Sequence, residues 1–577
     1  MYKIRKFIAL VLCFGLLLSG CGKRPVIGQI EPSNSTDETV VTTVIDTGDM
    51  FSKRDFETAY DAKKCEKIVL SNTVEIKKEG TYLLSGTLED GQIIVNVDKK
   101  EKVQLILDGV QIHSNSSAAI LVQQADKVFI TTAKGTENTL SSGAVADNID
   151  GAIYSKDDLT LNGEGSLTIV STAGHGIVCK NDLVVTSGSY NITASGHGLS
   201  GKDSVRIGGG TFSVTAGKDG IQAENSDDEA QGFGYFSGGD MTITAEGDGI
   251  SVSGNLLIAD GEFHITAGGG SKNGTKASSG NYGGFPGGGF GGGRPGGDRP
   301  GGKGNTDTKT DENSTSMKGI KAGDLTIQGG SFTIDSADDA VHSNANITVS
   351  GGNFSIATGD DGFHAEENLI VTSGKIQITE SYEGLEAHHI LVSGGEISLV
   401  SSDDGFNAAS GNDSSGMGGR DQMFGGPGGF GGMGRGDGSI TISGGTVYIQ
   451  ASGDGLDANG TLEITGGHTT LCGPTQGDTA VLDYDVSGTI TGGTFIGTGS
   501  SMMAQSFSNA SQGVIALRVG SAAANTQITL TDAKGNIVLS YTPALDYAIV
   551  ILSSPEIIKG ENYTITIGSQ SGTFQAS

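Results

Sequence analysis

The sequence predicts an all-β chain wound as a right-handed parallel β-helix, a solenoid with N-terminal leading coils and a small C-terminal β cap. Three observations predict it. A two-residue turn recurs about every 22 residues, at Asp150-Gly151, His175-Gly176, His197-Gly198, Asp219-Gly220, Asp248-Gly249, Lys318-Gly319, Asp339-Ala340, Asp361-Gly362, Glu383-Gly384, Asp404-Gly405 and Asp454-Gly455. Between turns lie short runs with apolar residues at alternate positions, such as Leu369 and Val371, a Ser-Gly corner, then Ile376 and Ile378. Glycine contributes 97 of 577 residues and tryptophan none, which suits tight corners and short strands and not helix bundles. A single coil cannot bury its own Ile, Val and Leu; stacked coils bury them in a column, with strands about 4.8 Å apart. The hand is assigned by analogy with such folds. A leucine-rich repeat lacks support, because its asparagine ladder and helical half are missing, and a propeller would need longer antiparallel blades.

In chain order, residues 1–20 read as an export signal. Lys3, Arg5 and Lys6 precede an apolar stretch from Phe7 to Leu18 that is too short to span a bilayer as a mature helix. The stretch ends in Leu18-Ser19-Gly20-Cys21, which resembles the lipobox of bacterial lipoproteins. That resemblance implies acylation of Cys21 and a membrane-anchored lipoprotein of the bacterial cell envelope, facing outward. Residues 21–65 read as a tether and residues 66–509 as the solenoid body. Gly-rich insertions at 268–317 and 410–438 read as disordered loops, and a third insertion falls at 225–238. Residues 510–577 read as the cap that covers an otherwise sticky edge. With Cys13 removed and Cys21 lipidated, Cys65, Cys179 and Cys472 read as buried thiols without zinc or redox spacing.

The formal net charge of −30 excludes nucleic acid as a partner, since phosphate contacts need Lys and Arg. The same charge suits a protein that meets cations. In a stacked chain, equivalent positions align. Asp339, Asp361, Glu383, Asp404 and Asp454 then form one ladder, with Asp338, Asp360 and Asp403 beside it. A second ladder runs His342, His364, Glu386, Asn407, Asp457. Like charges one strand spacing apart repel by roughly 0.9 kcal/mol in water and about 3.5 kcal/mol at an effective dielectric of 20. Ca²⁺ takes six to eight oxygens in flexible cages, so these acids are its candidate ligands. A solvated acidic edge is the plainer alternative. His342 and His364 admit a transition metal, though carboxylate-rich surroundings favour a hard cation.

Gly-His-Gly at 174–176 and 196–198, and Asp-Asp at 338–339, 360–361 and 403–404, also occur in pectin-cleaving hydrolases. Here each falls on the recurrent turn, and repetition explains it. No catalytic residue is assigned.

The segment Gly80 to Gly143, the repeated Asp-Gly turns that follow it, and SSPEIIKGENYTI near the C-terminus together resemble a bacterial carbohydrate-binding domain family. The resemblance implies a calcium-binding parallel β-helix at the cell surface that binds cellulose or acidic pectic polysaccharide. Binding of polysaccharide through calcium-loaded turns is therefore the expected function. The alternatives are a structural adhesin or matrix protein without sugar binding, and a calcium-dependent lyase or glycoside hydrolase.

Overall fold

The structure is a computed structural model that describes residues 47–577 except 144, 147, 229, 277–315, 410–435 and 476–478. The expected signal segment, Cys21 and most of both long Gly-rich insertions lie outside the described residues. Residues Lys53–Ser577 form one compact unit.

Alternation decides the local structure. In Ser331–Ser336 the inward Phe332 and Ile334 are buried, while Ser331 and Thr333 are exposed. The same pattern recurs in Thr211–Ala216, Asn353–Thr358 and Lys375–Glu380. Each strand pairs in parallel with its equivalents before and after. Thus Phe332 faces Phe263 on one side and Phe354 on the other, and Ile347 faces Leu325 and Leu369. Fully burying each such side chain contributes roughly 1.5–3 kcal/mol. Aromatic rings reinforce the column. Phe263, Phe332 and Phe354 stack at centroid distances of 4.8 and 4.5 Å with interplanar angles of 3° and 5°.

The recurrent turns need glycine because successive turns approach closely. A Cβ on Gly362 would lie 2.4 Å from Ile378 Cδ1 and 2.6 Å from the Gly384 carbonyl oxygen. At the Ser-Gly and Gly-Gly corners the need is conformational instead: Gly352 and Gly374 have φ of 96° and 104°.

The expected right-handed solenoid is corrected by the strand pairing. The chain is all-β with almost no helix, but its parallel strands close on themselves in the manner of a barrel, with further strands outside. The physical reason lies in long strands that run through corners instead of breaking at them, as Lys102–Ser114 already does near the N-terminal end. Phe233–Ala245, Asn255–Ala267, Phe363–Val371 and Leu385–Val392 each bond to strands of two rows, which fuses the rows into one 43-stranded sheet. Parallel register fixes neighbours and facing, and carries no hand.

Pairing and burial add detail in three segments. Parallel pairing is already in place between Glu66–Leu70 and Gly80–Leu88, so the leading region is regular in register although irregular in spacing. The 225–238 insertion contributes Phe236 to the core, paired with Ile207. Within the stretch read as a tether, Asp55 is buried: its carboxylate meets Lys127 Nζ at 2.8 Å and accepts from Thr160 Oγ1 at 2.6 Å. Of the three thiols, Cys179 and Cys472 are buried and Cys65 is half-buried. At the other end Tyr547–Ser553 pairs antiparallel with Thr494–Gly499, the last strand of its own parallel row, and with Val514–Ala522. A separate four-stranded antiparallel sheet follows.

Replacing Phe332 by Ala should cost about 3–5 kcal/mol, because it opens the ring stack from within. Thr333→Ala, one residue on and outward, should change stability by no more than about 0.5 kcal/mol. Denaturant unfolding of the two variants checks this; equal losses would contradict the inward and outward assignment.

Candidate functional site

The recurrent turns leave a peptide N–H pointing at the preceding turn, and a side chain there accepts it. His175 Nδ1 accepts from the His197 N–H at 2.8 Å, and His197 Nδ1 from the Asp219 N–H at 3.2 Å. Asp219 Oδ1 accepts from Asp248 at 2.9 Å, and Asp248 Oδ1 from Lys318 at 2.8 Å. Further along, Asp339 Oδ1 accepts from Asp361, Asp361 Oδ1 from Glu383, and Asp404 Oδ1 from Asp454, at 3.3, 3.2 and 2.5 Å. Asp454 Oδ1 receives the Ala480 N–H in the same way. Where Lys318 occupies the position and offers no acceptor, Asp338 Oδ1 takes the Asp339 N–H at 3.0 Å. Gly-His-Gly and Asp-Gly are therefore two chemical solutions to one backbone demand.

At Asp219, Asp248, Asp339, Asp361, Asp404 and Asp454 one carboxylate oxygen is thus committed to the backbone, which leaves the second for other partners. From Lys318 to Glu386 the carboxylates of the row also meet Lys and His nitrogens of the protein itself. Lys318 Nζ lies 2.6 Å from Asp339 Oδ2 and 3.0 Å from Asp338 Oδ1. His342 Nδ1 is 2.9 Å from Asp339 Oδ2. His364 Nδ1 is 3.3 Å from Asp361 Oδ2 and 3.2 Å from Glu386 Oε2. Lys276 Nζ reaches Asp360 Oδ1 at 2.8 Å and lies over the Tyr382 ring.

These neighbours set the charge states. Burial raises the Asp339 carboxyl, but Lys318, His342 and His364 outweigh it and hold the group well below its ordinary range. Burial lowers His364, and Asp361 and Asp339 overcome this and lift it to about 9. Lys318 is likewise held protonated by Asp339 and Asp338 against its burial. Burial and the neighbouring Asp361 and Asp339 push Asp360 up to about 10, with Lys276 opposing.

At Glu383, and from Asp404 onward, the environment changes. Burial raises Glu383, as do Asp361 and Asp404; its Oε2 accepts from Asn407 Nδ2 at 3.0 Å. Burial also raises Asp404 well above the carboxylate range, helped by Asp454, Asp457 and Asp403. Ligand oxygens of Asp404, Asp454 and Asp457 lie within 4.8 Å of one another. The same closeness holds for Asp338, Asp339 and Asp360, for Asp339, His342 and His364, and for Asp361, His364 and Glu386. The structure therefore brings eight of the ten expected acids into close groups, in two regimes, and leaves Glu383 and Asp403 outside these groups. The first is threaded by Lys and His; the second is built from carboxylates.

Sequence reasoning missed Lys318 and Lys276 as members of the site. Lys318 was legible, since it occupies the acid's place in a recurrent turn. Nothing local marks Lys276, which arrives from the edge of a Gly-rich insertion.

A family profile described as "Carbohydrate-binding domain-containing protein" matches residues 71–362. The chain belongs to this carbohydrate-binding domain family. A curated relative of the same description from Acetivibrio thermocellus is 36% identical over 188 residues, which is 31% of this chain. The match spans 61% of that relative's length. A solved structure described as the polysaccharide lyase-like protein from C. thermocellum, a gadolinium derivative, is 36% identical. It covers 35% of this chain and 91% of its own, with a TM-score of 0.34.

Two outcomes follow from the charge pattern. Lys318→Met should destabilise by about 3–5 kcal/mol, because it strands buried Asp339 without its ammonium. Loss under 1 kcal/mol in denaturant unfolding would show that the pair is dispensable. The second concerns pH in metal-free protein. Asp360, raised to about 10 from an unfolded value near 3.9, and His364, raised to about 9 from about 6.5, both favour the protonated fold. Their stabilisation is complete below the unfolded values and is lost as pH rises through the folded ones. Asp339 and Asp361 act oppositely, and only in acid below about pH 4. The Tm of chelated protein should therefore fall between pH 5 and pH 9, and Asp360→Asn should flatten the slope. A Tm that rises over this interval would contradict the assignment.

Proposed function

We propose that this chain is a cell-envelope lipoprotein that holds polysaccharide without cleaving it, using calcium bound at the carboxylate-rich turns. The observation that carries the carbohydrate reading is the extent of the family match: residues 71–362 take in much of the parallel-strand body and its turn row, not a terminal appendage.

The donor chemistry narrows where calcium fits. At Asp339 the Lys318 ammonium already lies 2.6 Å from the outward oxygen, so a second cation there would be repelled. Asp404, Asp454 and Asp457, with Asp403 beside them, form an all-oxygen set of the kind Ca²⁺ takes, and the mutual repulsion that raises Asp404 is what a hard cation relieves. Asp338, Asp360, Asp361 and Glu386 sit among Lys318, Lys276 and His364 and are weaker candidates. Bound at the carboxylate set, calcium would link the protein's carboxylates to those of an acidic glycan, which the chain's own charge would otherwise repel.

Retention without cleavage is supported by the cations present. A lyase needs a base that is unprotonated near neutral pH and takes a proton from the substrate. Lys318 is buried and held protonated by Asp338 and Asp339.

Calcium should raise the Tm, by an amount equivalent to about 2.7 kcal/mol at a hundredfold excess over its Kd. The Asp404→Asn, Asp454→Asn, Asp457→Asn variant should lose most of that response together with calcium-dependent retention on polygalacturonate. Release of unsaturated or reducing ends from polygalacturonate would overturn the binding-only reading. For the anchor, Cys21→Ser should move the protein from the membrane fraction to the soluble one, because the acyl chains supply the attachment. A variant that stays with membranes would sink that part of the proposal.

A further inference from the structure

The short helical turn Lys53–Phe56 precedes the first strand in sequence but does not sit beside it. Counted from Glu66–Leu70, one strand row runs through Gly80–Leu88, Lys102–Ser114, Lys127–Thr132, Asp158–Gly163 and Asp182–Val185. The turn lies against the fourth to sixth of these strands. The Asp55 carboxylate meets Lys127 Nζ at 2.8 Å and accepts from Thr160 Oγ1 at 2.6 Å. The Asp55 carbonyl oxygen accepts from Asn162 Nδ2 at 2.9 Å and from Thr186 Oγ1, just past the sixth strand, at 2.6 Å. Arg54 stands over the Phe129 ring, 4.5 Å from its centroid.

Thr160 and Asn162 alternate with the core residues Leu159 and Leu161, and Thr186 follows core Val185, so all three point out of the body. They are nevertheless buried, and each donates to Asp55. Behind Asn162 the side chains are linked. Its Oδ1 accepts from Thr131 Oγ1 at 2.7 Å, and Thr131 Oγ1 accepts from Gln104 Nε2 at 3.1 Å. The grip on one residue is thus shared from the third strand of the row to the sixth. Breaking a buried ion pair by loss of one partner leaves the other uncompensated, so Asp55 and Lys127 hold as a unit. The first strand is held far less. Among the described residues Glu66–Leu70 pairs on one side, with Gly80–Leu88, and Val69 is 75% exposed. The terminal unit of a stack has a single neighbour, and terminal segments open first.

We propose that Lys53–Phe56 is a load-bearing strap: a pull on the N-terminal side of the chain enters the body at Lys127, Thr160 and Thr186, and spares Glu66–Leu70 until the strap is released. The proposal rests on the reading of Cys21 as a membrane anchor, since a body that holds polysaccharide is pulled against its anchor. A pull applied at Glu66 would peel the first strand, loading its bonds to Gly80–Leu88 one after another. A pull applied at Lys53 loads contacts to three strands together. Residues 57–65, between the strap and the first strand, form no strand and stay slack while the strap holds.

Full-length protein with Cys13→Ser and Cys21→Ser, stretched in optical tweezers, tests this without lipid. One handle stays at the C-terminus; the other is placed at the N-terminus or on the Cys65 thiol, which lies past the strap and is half-buried where Cys179 and Cys472 are buried. Rupture under force follows the rate of opening. Pulled from the N-terminus, the first opening should need at least twice the force that it needs from Cys65. Asp55→Ala should bring the N-terminal value down to the Cys65 value and leave the Cys65 value unchanged. Thr186→Val, which removes one bond and no charge, should lower the N-terminal value by less. The comparison of handles in the parent chain decides the matter even if Asp55→Ala fails to fold. Equal forces from the two handles would overturn the proposal, and so would an unchanged N-terminal force in folded Asp55→Ala. Failure of the anchor reading shows elsewhere: Cys21→Ser protein that stays with membranes would remove the load that the strap is proposed to bear, whatever the forces.

Discussion

A peptide N–H that points along the stacking direction in a tight turn must find an acceptor, and in this chain the acceptor is the side chain of the turn before. The bond joining Asp361 N–H to Asp339 Oδ1 recurs, in substance, from His175 to Ala480. An unmet buried N–H costs about 1–3 kcal/mol, so the acceptor position cannot be filled by an apolar residue without loss. The need favours Asp, or His accepting through Nδ1, at the turn; Lys318 and Glu383 depart from this, and Asp338 takes over the acceptor role beside Lys318. The need also aligns the turns, because each bond spans one period. Glycine beside the acceptor follows from the same closeness, as the 2.6 Å approach between a Gly362 Cβ and the Gly384 carbonyl would show.

Meeting that need with aspartate creates a second problem. Each acid supplies one oxygen to the backbone and brings a full charge with it, one strand spacing from the next. The chain resolves this in two ways. Around Asp339 and Asp361 it threads Lys318 and His364 between the carboxylates, which keeps both ionised in a buried setting. At Asp360, Glu383 and Asp404 burial and repulsion push the carboxyls up instead. A proton and a divalent cation are competing answers there, which is why calcium is assigned to the carboxylate set and not to the whole ladder.

Much of this was legible in the sequence. The period, the strands and the alignment of His342 with His364 and Glu386 are direct consequences of alternation and spacing, and the register agrees. The closed form of the sheet was not legible. It depends on Phe363–Val371 and its equivalents continuing through a corner, and the Glu366-Glu367 stretch inside that strand carries no strand signal of its own. The acids were found as a row, but their split was hidden. It turns on Lys276, brought to Asp360 from a glycine-rich segment, and on Lys318, whose ammonium folds back onto its neighbour turn. Long-range placement of a flexible cation leaves no periodic trace.

The central claim is that the turn row is divided, with internal cations at one end and a place for calcium at the other. Anomalous diffraction from crystals grown with calcium, recorded at long wavelength, tests it most directly. The account predicts an anomalous peak among Asp404, Asp454 and Asp457 and none beside Asp339, where the Lys318 ammonium stands. A peak between Asp339 and His364, with Lys318 displaced, or no peak at Asp404 under saturating calcium, would contradict it.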